Sequence, residues 1–348
     1  MLDCDVEVNR RNFTVVAAFR LQAGQRLALF GPSGAGKTTV LEAIAGLVPI
    51  RRGAITLEGR VLSRAGAAPL PAHLRRVGLV RQQPSLFPHM TVEANLRFGC
   101  CQNDTRYAEV VERLGLAELL GARPPALSGG QRQRVAFART LLSPFAVLLL
   151  DEPYTGLDAA LRASLHGLVA DTVALQGIPA ILVSHDLPEA QAFGDRVAII
   201  DRGRVLQVDG PAQIVAEPAS RRVAELVGYR AFVDAQAVPG CGPGVVGVHP
   251  ERLRLGAHRA HGPVVTGRVT AVRPHGPRWQ AQVVLDVGPG LVPPGLVALL
   301  PDYVAIGERV VLTLLAPPLF DRDGASAGLA GDRPGASPRQ DRARGAGT

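Results

Sequence analysis

The stretch GPSGAGKTT, residues 31–39, has the residue types and spacing of a phosphate-binding loop. It fits the pattern G-x-x-x-x-G-K-[ST], whose glycines let consecutive backbone N–H groups and a helix N-terminus face a phosphate chain. Lys37 is the only lysine in the sequence, and its compact ammonium reaches between two phosphates where a planar guanidinium needs a wider site. The residues predicted to bind nucleotide are Gly31, Pro32, Ser33, Gly34, Ala35, Gly36, Lys37, Thr38 and Thr39. The Thr38 hydroxyl is the predicted Mg²⁺ ligand.

Two carboxylates, Asp151 and Glu152, follow the apolar run FAVLLL. Because the strands of an α/β sheet open at their carboxyl ends toward the ligand crevice, both side chains are expected near the phosphate loop. Asp151 is predicted to hold Mg²⁺, directly or through water. Glu152 is placed to polarise an attacking water as general base. The loop alone is also typical of kinases, GTPases and motors, so these residues leave the class of nucleotide enzyme open.

The segment LSGGQRQRVAFART, residues 127–140, resembles the signature sequence of ATP-binding cassette (ABC) ATPases. Other landmarks of that family stand in its order along the chain. Gln82 in VRQQPSLFPHMTV resembles the Q-loop glutamine, GLD at residues 156–158 resembles the D-loop, and His185 in ILVSHD resembles the switch histidine. The resemblance covers roughly Leu2 to Val227.

The resemblance implies a homodimer in which each ATP lies between the phosphate loop of one copy and the signature of the other. The residues expected to act in trans are Ser128, Gly129, Gly130, Gln131 and Asp158. The family pattern also assigns catalytic roles to Gln82 and His185 beside Glu152, and a place at the Mg²⁺ to Gln82. Loss of the γ-phosphate would part the dimer, and that opening would drive movement.

Two positions depart from the family pattern. The family stacks adenine on an aromatic residue upstream of the lysine, and here Phe13 is the nearby aromatic residue while Arg10 or Arg11 fits the register. Arginine can also stack on a base, so these alternatives stay open. Arg81 stands where importer relatives commonly carry an aromatic residue before the glutamine.

Several elements must position these residues. The short apolar runs RLALF, RVGLV, AVLLLD, AILVSHD and RVAIID alternate with helix-length segments, which predicts an α/β fold with mainly parallel strands. We expect an ATPase domain over residues 1–230, with a helical subdomain over about 91–142. Short strands with Gly and Pro between them predict a small all-β domain over 231–320. Residues 321–348 are predicted to be a disordered tail, because large apolar residues are scarce there.

Composition narrows the class of partner. The net charge of +8 comes from scattered arginines, and aromatic residues make up only 4% of the chain, so a nucleic-acid partner is not expected. Four cysteines at unrelated spacings argue against a disulfide framework or a zinc site. Neither a secretory signal nor a membrane-spanning run is expected.

A separate ATPase with a C-terminal β module resembles the subunits of bacterial binding-protein-dependent importers that carry a TOBE domain. The segment GVHPERLRL, residues 247–255, looks like the G-[IV]-R-P-E motif of that module, with His249 in place of the arginine. This likeness implies a peripheral subunit on the cytoplasmic face of the membrane, with permease subunits and an extracytoplasmic solute-binding protein as partners. The loop sequences look most like the molybdate and sulfate group, especially molybdate.

Other functions remain open from the sequence. The same machine could import sulfate, iron(III), polyamine or sugar. From another class, the chain could be a soluble ABC ATPase outside transport, although those chains usually carry two cassettes or a coiled-coil insertion. It could also be a ligand-sensing regulator that uses the β module.

Overall fold

The computed structural model describes residues 1–10, 13–99, 104–154, 157–286, 295–321 and 323–329. Contacts within the chain divide it into two compact units, Met1–Pro211 and Ala212–Thr348. The division lies before the expected boundary at 230/231. In the part of the chain that is described, no helix is long and apolar enough to cross a bilayer. Cys4 and Cys241 are free thiols, and Cys100 and Cys101 lie outside the described residues.

The first unit is an α/β structure with one large sheet. Its strands are β1 Leu2–Asn9, β2 Thr14–Leu21, β3 Arg26–Phe30, β4 Arg52–Leu57, β5 Arg60–Arg64, β6 Val77–Val80, β7 Val147–Asp151, β8 Ala180–Ser184, β9 Arg196–Asp201 and β10 Arg204–Asp209. Its helices are α1 Lys37–Ala45, α2 Val92–Arg97, α3 Asp104–Arg113, α4 Gly129–Leu142, α5 Ala159–Gln176 and α6 Leu187–Phe193. The predicted α/β class is confirmed.

The sheet has ten strands in the order β5-β4-β1-β2-β10-β9-β3-β8-β7-β6. From β9 to β6 all neighbours pair in parallel, and every residue of β7 and β8 is buried. Such strands read as continuous apolar runs because both faces are covered. The carboxyl ends of β3, β8, β7 and β6 therefore lie side by side at one edge of the sheet.

The other half of the sheet was not predicted from the apolar runs. Strands β2, β1, β4 and β5 pair antiparallel in that order, so the sheet is mainly parallel only in its second half. In β1 buried residues alternate with half-buried and exposed ones. An alternating strand looks polar overall, so a search for continuous apolar runs misses it.

Helices fill the segment between β6 and β7. Thr91 caps α2 by accepting a hydrogen bond from the Ala94 backbone N–H at 3.2 Å. In the stretch YAEVVERLGLAELL, α3 ends at Arg113 and Gly115 follows with a φ of 58°. The left-handed backbone conformation at a helix end favours glycine, because a Cβ would clash in that conformation and glycine has none.

The second unit begins with α7 Pro211–Ala216, which starts at the boundary, and α8 Arg221–Leu226. Its strands are β11 Ala231–Asp234, β12 Val245–Val248, β13 Leu253–Leu255, β14 Val264–His275, β15 Arg278–Leu285, β16 Gly295–Leu300, β17 Arg309–Leu314, β18 Pro318–Phe320 and β19 Ser326–Leu329. They form two sheets, β11-β12-β18-β19 and β13-β17-β14-β15-β16. Val246, Leu285 and Leu312 are among the buried residues of the core that both sheets share.

Side-chain hydrogen bonds explain why the division lies at 211/212. The Tyr229 hydroxyl donates to the Val215 carbonyl at 2.8 Å, and Arg252 Nη1 donates to the carbonyls of Val215 and Ala216 at 3.3 and 3.2 Å. The last carbonyls of α7 thus have partners in the second unit. A short helix followed by polar residues carries no sequence signal for that attachment.

The segment predicted as a disordered tail contains a strand. In β19, Gly328 pairs with Leu319 and Leu329 pairs with Pro318 of β18. Backbone hydrogen bonding is sufficient for an edge strand, so the small side chains of this segment do not prevent it. Residues 330–348 lie outside the described residues.

Candidate functional site

The predicted phosphate, metal and water residues lie at the ends of four adjacent parallel strands. The phosphate loop follows β3, Gln82 comes two residues after β6, Asp151 closes β7 with Glu152 next, and His185 follows β8. Residues from four separate parts of the sequence meet because the strand order is β3-β8-β7-β6. This edge is the ligand-binding side of an open α/β sheet.

Close backbone approach explains two glycines of the phosphate loop. A Cβ at Gly31 would lie 2.0 Å from the Ile200 carbonyl oxygen of β9, so no side chain fits there. Gly36 has a φ of 103° and is the residue from which α1 begins. Both positions need glycine, one for space and one for conformation.

Lys37 is 5% exposed, and its ammonium is held by its own loop. Nζ donates hydrogen bonds to the carbonyls of Gly31 at 2.7 Å and Pro32 at 2.9 Å. Burial lowers the pKa of Lys37, while the charges of Glu152 and Asp151 act in the opposite direction. Both acceptors are neutral carbonyls, so the positive charge of the ammonium is not neutralised by them. The ammonium can therefore bind an anion such as phosphate through stronger, charge-assisted hydrogen bonds.

Thr38 and Asp151, the residues predicted to bind Mg²⁺, contact each other through a hydroxyl and a carboxylate. Thr38 Oγ1 donates to Asp151 Oδ1 at 2.9 Å, and Thr38 faces solvent. Burial raises the pKa of Asp151, the hydrogen bond from Thr38 lowers it, and the negative charge of Glu152 raises it. Hydroxyl and carboxylate oxygens are the hard ligands that Mg²⁺ prefers, so this pair fits the ion.

Glu152 is the centre of the predicted water site. Its Oε1 lies 3.2 Å from His185 Nδ1, and its Oε2 accepts a hydrogen bond from Gln82 Nε2 at 3.4 Å. The Glu152 backbone has a φ of 45°, a left-handed conformation that costs energy in a residue with a side chain. The structure thus brings together the three residues that the sequence placed around the reacting water.

The signature residues form the start of α4. Ser128 Oγ accepts from the Gln131 backbone N–H at 3.2 Å, and Gln131 Oε1 accepts from the Ser128 N–H at 2.8 Å. This capping box leaves Ser128 and Gly129 exposed, next to a half-buried Gly130. An exposed helix N-terminus with a serine and two glycines is suited to binding an anion from another molecule.

The predicted D-loop is described only in part. Asp158 caps α5, since its Oδ1 accepts from the Leu161 backbone N–H at 2.8 Å. Gly156 lies outside the described residues.

The candidates for the adenine contact differ in their surroundings. The Phe13 ring is 37% exposed and lies beside the phosphate loop, because a Cβ at Gly36 would be 3.3 Å from its Cε2. Arg10 instead forms an ion pair with Glu42 and donates from Nε to Thr39 Oγ1 at 3.1 Å. Arg11 lies outside the described residues.

Two residues at the site were missed from the sequence. Glu42 of α1 holds Arg10 and lies 3.6 Å from Arg81 Nη2, and Gln133 of α4 is buried behind the site. Gln133 falls on the same face of α4 as Phe137, and a polar residue on an apolar face is the signal that could have found it.

The sequence was compared with known proteins and solved structures. A family profile described as ABC transporter matches residues 16–155. The Fe(3+) ions import ATP-binding protein FbpC 2 of Rhodococcus jostii is 39% identical over 325 residues, which cover 86% of this chain and 91% of that protein. The chain belongs to the ABC transporter family. As an ABC ATPase it binds ATP and hydrolyses it, with Mg²⁺ as the partner ion.

Further similarities place this ABC ATPase among import subunits and cassette structures. The molybdenum import ATP-binding protein ModC of Mesorhizobium japonicum is 41% identical over 220 residues, covering 61% of this chain and 59% of that protein. A solved ATP binding subunit of an ABC transporter has a TM-score of 0.55 at 26% identity, covering 65% of this chain and 94% of that one. A dimeric ATP-binding cassette in a post-hydrolysis state with ADP and Pi has a TM-score of 0.53 at 25% identity, covering 61% and 99%.

The similarities do not confirm the preference for molybdate, since relatives covering more of this ABC ATPase are named for iron(III) import. The two sheets of the second unit are consistent with an OB-like domain. Its assignment as TOBE stays a prediction.

Proposed function

We propose that this chain is the ATP-hydrolysing subunit of a binding-protein-dependent importer and energises solute uptake through a separate permease. The observation that supports the hydrolytic role most directly is the Glu152 carboxylate between His185 Nδ1 at 3.2 Å and Gln82 Nε2 at 3.4 Å, and the import role is supported by the relatives named for import. A general base must be held within hydrogen-bond reach of its water, and these two partners fix the carboxylate.

The division of labour follows from the contacts. Lys37 exchanges the carbonyls of its own loop for phosphate oxygens, and the loop N–H groups hold the remaining negative charge. Thr38 and Asp151 would hold Mg²⁺, with Gln82 as a further proposed ligand, and the ion would neutralise charge on the phosphates. Glu152 takes the proton of the attacking water, and His185 steadies the charge on the γ-phosphate.

The proposed active species is a homodimer. The signature residues Ser128, Gly129, Gly130 and Gln131, with Asp158, would close over the phosphates held by the partner copy. The exposed start of α4 in each copy supports this arrangement, because its serine hydroxyl and glycine N–H groups are available to an outside anion. Phe13 is the proposed base contact, since its ring is exposed beside Gly36 while Arg10 is held by Glu42.

Iron(III) is the proposed cargo, supported by relatives named for Fe(3+) import at 39% and 41% identity over most of the chain. Molybdate is the second candidate, supported by the ModC relative at 41% identity over a shorter stretch. We further propose a peripheral position on the cytoplasmic face of the membrane, against permease subunits that receive solute from an extracytoplasmic binding protein.

Hydrolysis and dimerisation are tested with Glu152→Gln. The variant is expected to bind ATP with Mg²⁺, to lose hydrolysis by about 100-fold or more, and to elute as a dimer on gel filtration with ATP. Lys37→Ala serves as the matched control, because loss of the ammonium removes nucleotide binding and leaves a monomer. Normal hydrolysis by a monomeric Glu152→Gln variant would contradict the proposal.

The cargo is tested by uptake in cells of the source species that lack this gene. Complementation with the intact gene should restore uptake of labelled iron(III), and the Glu152→Gln gene should not. Restoration of labelled molybdate uptake alone would make molybdate the cargo. Equal uptake of both ions with and without the gene would refute iron(III) and molybdate as cargo and leave the other solutes named above as candidates.

A further inference from the structure

Gln133 is a buried polar residue in α4, about one turn after the signature residues at the start of that helix. Its side chain is 6% exposed, and it shares the inner face of α4 with Phe137, which is fully buried. Burial of a polar side chain costs free energy unless hydrogen bonds within the protein replace those it made to water.

The two hydrogens of one nitrogen join two other parts of the site. Gln133 Nε2 donates to the Arg81 carbonyl at 3.3 Å and to the Pro153 carbonyl at 3.4 Å. Arg81 comes immediately before Gln82, and Pro153 comes immediately after Glu152. One amide therefore joins the backbone segments that carry Gln82 and Glu152, whose side chains are hydrogen-bonded to each other.

The acceptor atom of the same amide is not engaged. Gln133 Oε1 is buried and, among the described residues, has no hydrogen-bond partner. The side chain is thus held entirely by its donors. This arrangement fixes the orientation of the amide, since only the NH₂ group can satisfy two carbonyl oxygens.

We propose that Gln133 is a positioning residue that sets the placement of Gln82 relative to Glu152 and transmits movement of α4 to both. This inference rests on the roles proposed above for these two residues. The capping box of Ser128 and Gln131 ties the first turn of α4 into a rigid unit, so a phosphate that binds at its N-terminus displaces Gln133 as well.

Two features of the structure support this coupling of α4 to Gln82 and Glu152 through Gln133. Both donated hydrogen bonds, at 3.3 and 3.4 Å, are longer than is usual for N–H···O bonds, so a small movement of α4 changes their strength. Glu152 holds a left-handed backbone with a φ of 45°, which persists only while neighbours restrain the segment. The hydrogen bond to the Pro153 carbonyl is one such restraint, directly after the strained residue.

The test compares Gln133→Met, which keeps the length and volume of the side chain and removes its donors, with a control on the same helix. Arg134 provides that control, because its Nη1 also donates to two carbonyls, Leu114 at 2.9 Å and Gly115 at 3.4 Å, away from the water site. Steady-state ATP hydrolysis, nucleotide affinity and thermal unfolding are measured for both full-length variants.

Gln133→Met is expected to lower kcat about tenfold while KM for ATP changes less than about twofold, because the phosphate loop is untouched. Arg134→Met is expected to lower the melting temperature at least as much and to leave kcat within about twofold. In the Glu152→Gln background the Gln133 substitution should add no further loss, as expected of residues that act as a unit.

Several results would overturn the inference. Equal falls in kcat for Gln133→Met and Arg134→Met would reduce Gln133 to a packing residue, as would a further loss in the Glu152→Gln background. Normal kcat in Gln133→Met together with lost hydrolysis in Glu152→Gln would overturn this inference alone. Normal hydrolysis in Glu152→Gln would overturn the proposed function and this inference with it.

Discussion

His185 Nδ1 lies 3.2 Å from Glu152 Oε1, and the two residues follow neighbouring strands of the sheet. The histidine side chain is 57% exposed and the glutamate side chain 17%, so the pair has an open side and a sheltered side. In the proposed mechanism the sheltered carboxylate activates the attacking water, and the exposed imidazole steadies charge on the γ-phosphate.

Replacement of His185 by alanine is expected to lower kcat for ATP hydrolysis about 100-fold and to leave the dissociation constant for ATP nearly unchanged. The physical reason is that Glu152 keeps its carboxylate but loses the partner that orients it. Steady-state kinetics and equilibrium nucleotide binding measure the two quantities. His73→Ala, at an exposed histidine of the same unit, is the control and should behave as wild type.

Ser128 caps α4 and is proposed to bind the partner copy's nucleotide, and different substitutions separate the two roles. Ser128→Ala removes the cap of α4 and should cost about 1 kcal/mol of stability in chemical denaturation. Ser128→Asp keeps a capping oxygen and adds a negative charge, so stability should be retained while ATP-dependent dimer formation is lost to repulsion from phosphate. A stable Ser128→Asp variant that forms the dimer normally would refute the role in trans.

The base contact is tested by comparing Phe13 with Arg10. Phe13→Ala is expected to weaken ATP binding by about 1–3 kcal/mol, the range found for bases stacked on aromatic side chains, and to weaken inorganic triphosphate binding little. Arg10→Met should weaken ATP and triphosphate equally, since Arg10 contacts Thr39 and Glu42 of α1. Isothermal titration with both ligands provides the comparison.

His249 makes the stability of the second unit depend on pH. Burial lowers the pKa of His249 from its ordinary value of 6.5, although a hydrogen bond with Val227 and the charge of Glu251 oppose this. A lowered folded pKa means that the unfolded chain takes up the proton first, so stability is lost as pH falls below 6.5. His249 Nδ1 also accepts from the Glu251 backbone N–H at 3.2 Å, and protonation would break that bond.

The variant His249→Asn keeps a capping acceptor and removes the titration. Urea denaturation followed by Trp279 fluorescence should show that the variant loses less stability than the wild type between neutral and mildly acidic pH. The difference in the free energy of unfolding should not exceed the effect of one proton taken up on unfolding. Equal pH dependence in both proteins would show that other groups carry the effect.

The missed elements of the fold share a physical cause. Apolar runs identified β3, β6, β7, β8 and β9, because strands buried on both faces leave a continuous signal. The alternating strands β1 and β2, the partly exposed strands β4 and β5 and the edge strand β19 carry no such run, and they are held by hydrogen bonds to their neighbours. The strands that position the site were therefore predictable, while those that complete the sheet were not.

Local chemistry was readable at the site from the sequence alone. The loop around Lys37 and the start of α4 at Ser128 each depend on residues within a few positions of one another, and short-range sterics and hydrogen bonding decide their form. The sequence alone thereby predicted an ATP-binding cassette with its phosphate loop, metal residues and signature.

Only the tertiary structure decided which distant residues meet. The strand order β3-β8-β7-β6 brings His185 and Gln82 to Glu152, and packing of α4 brings Gln133 to both segments. The same holds for Arg10, whose guanidinium lies against Glu42 rather than free for a base. Such contacts depend on the register and packing of the whole sheet, which no local pattern of residues encodes.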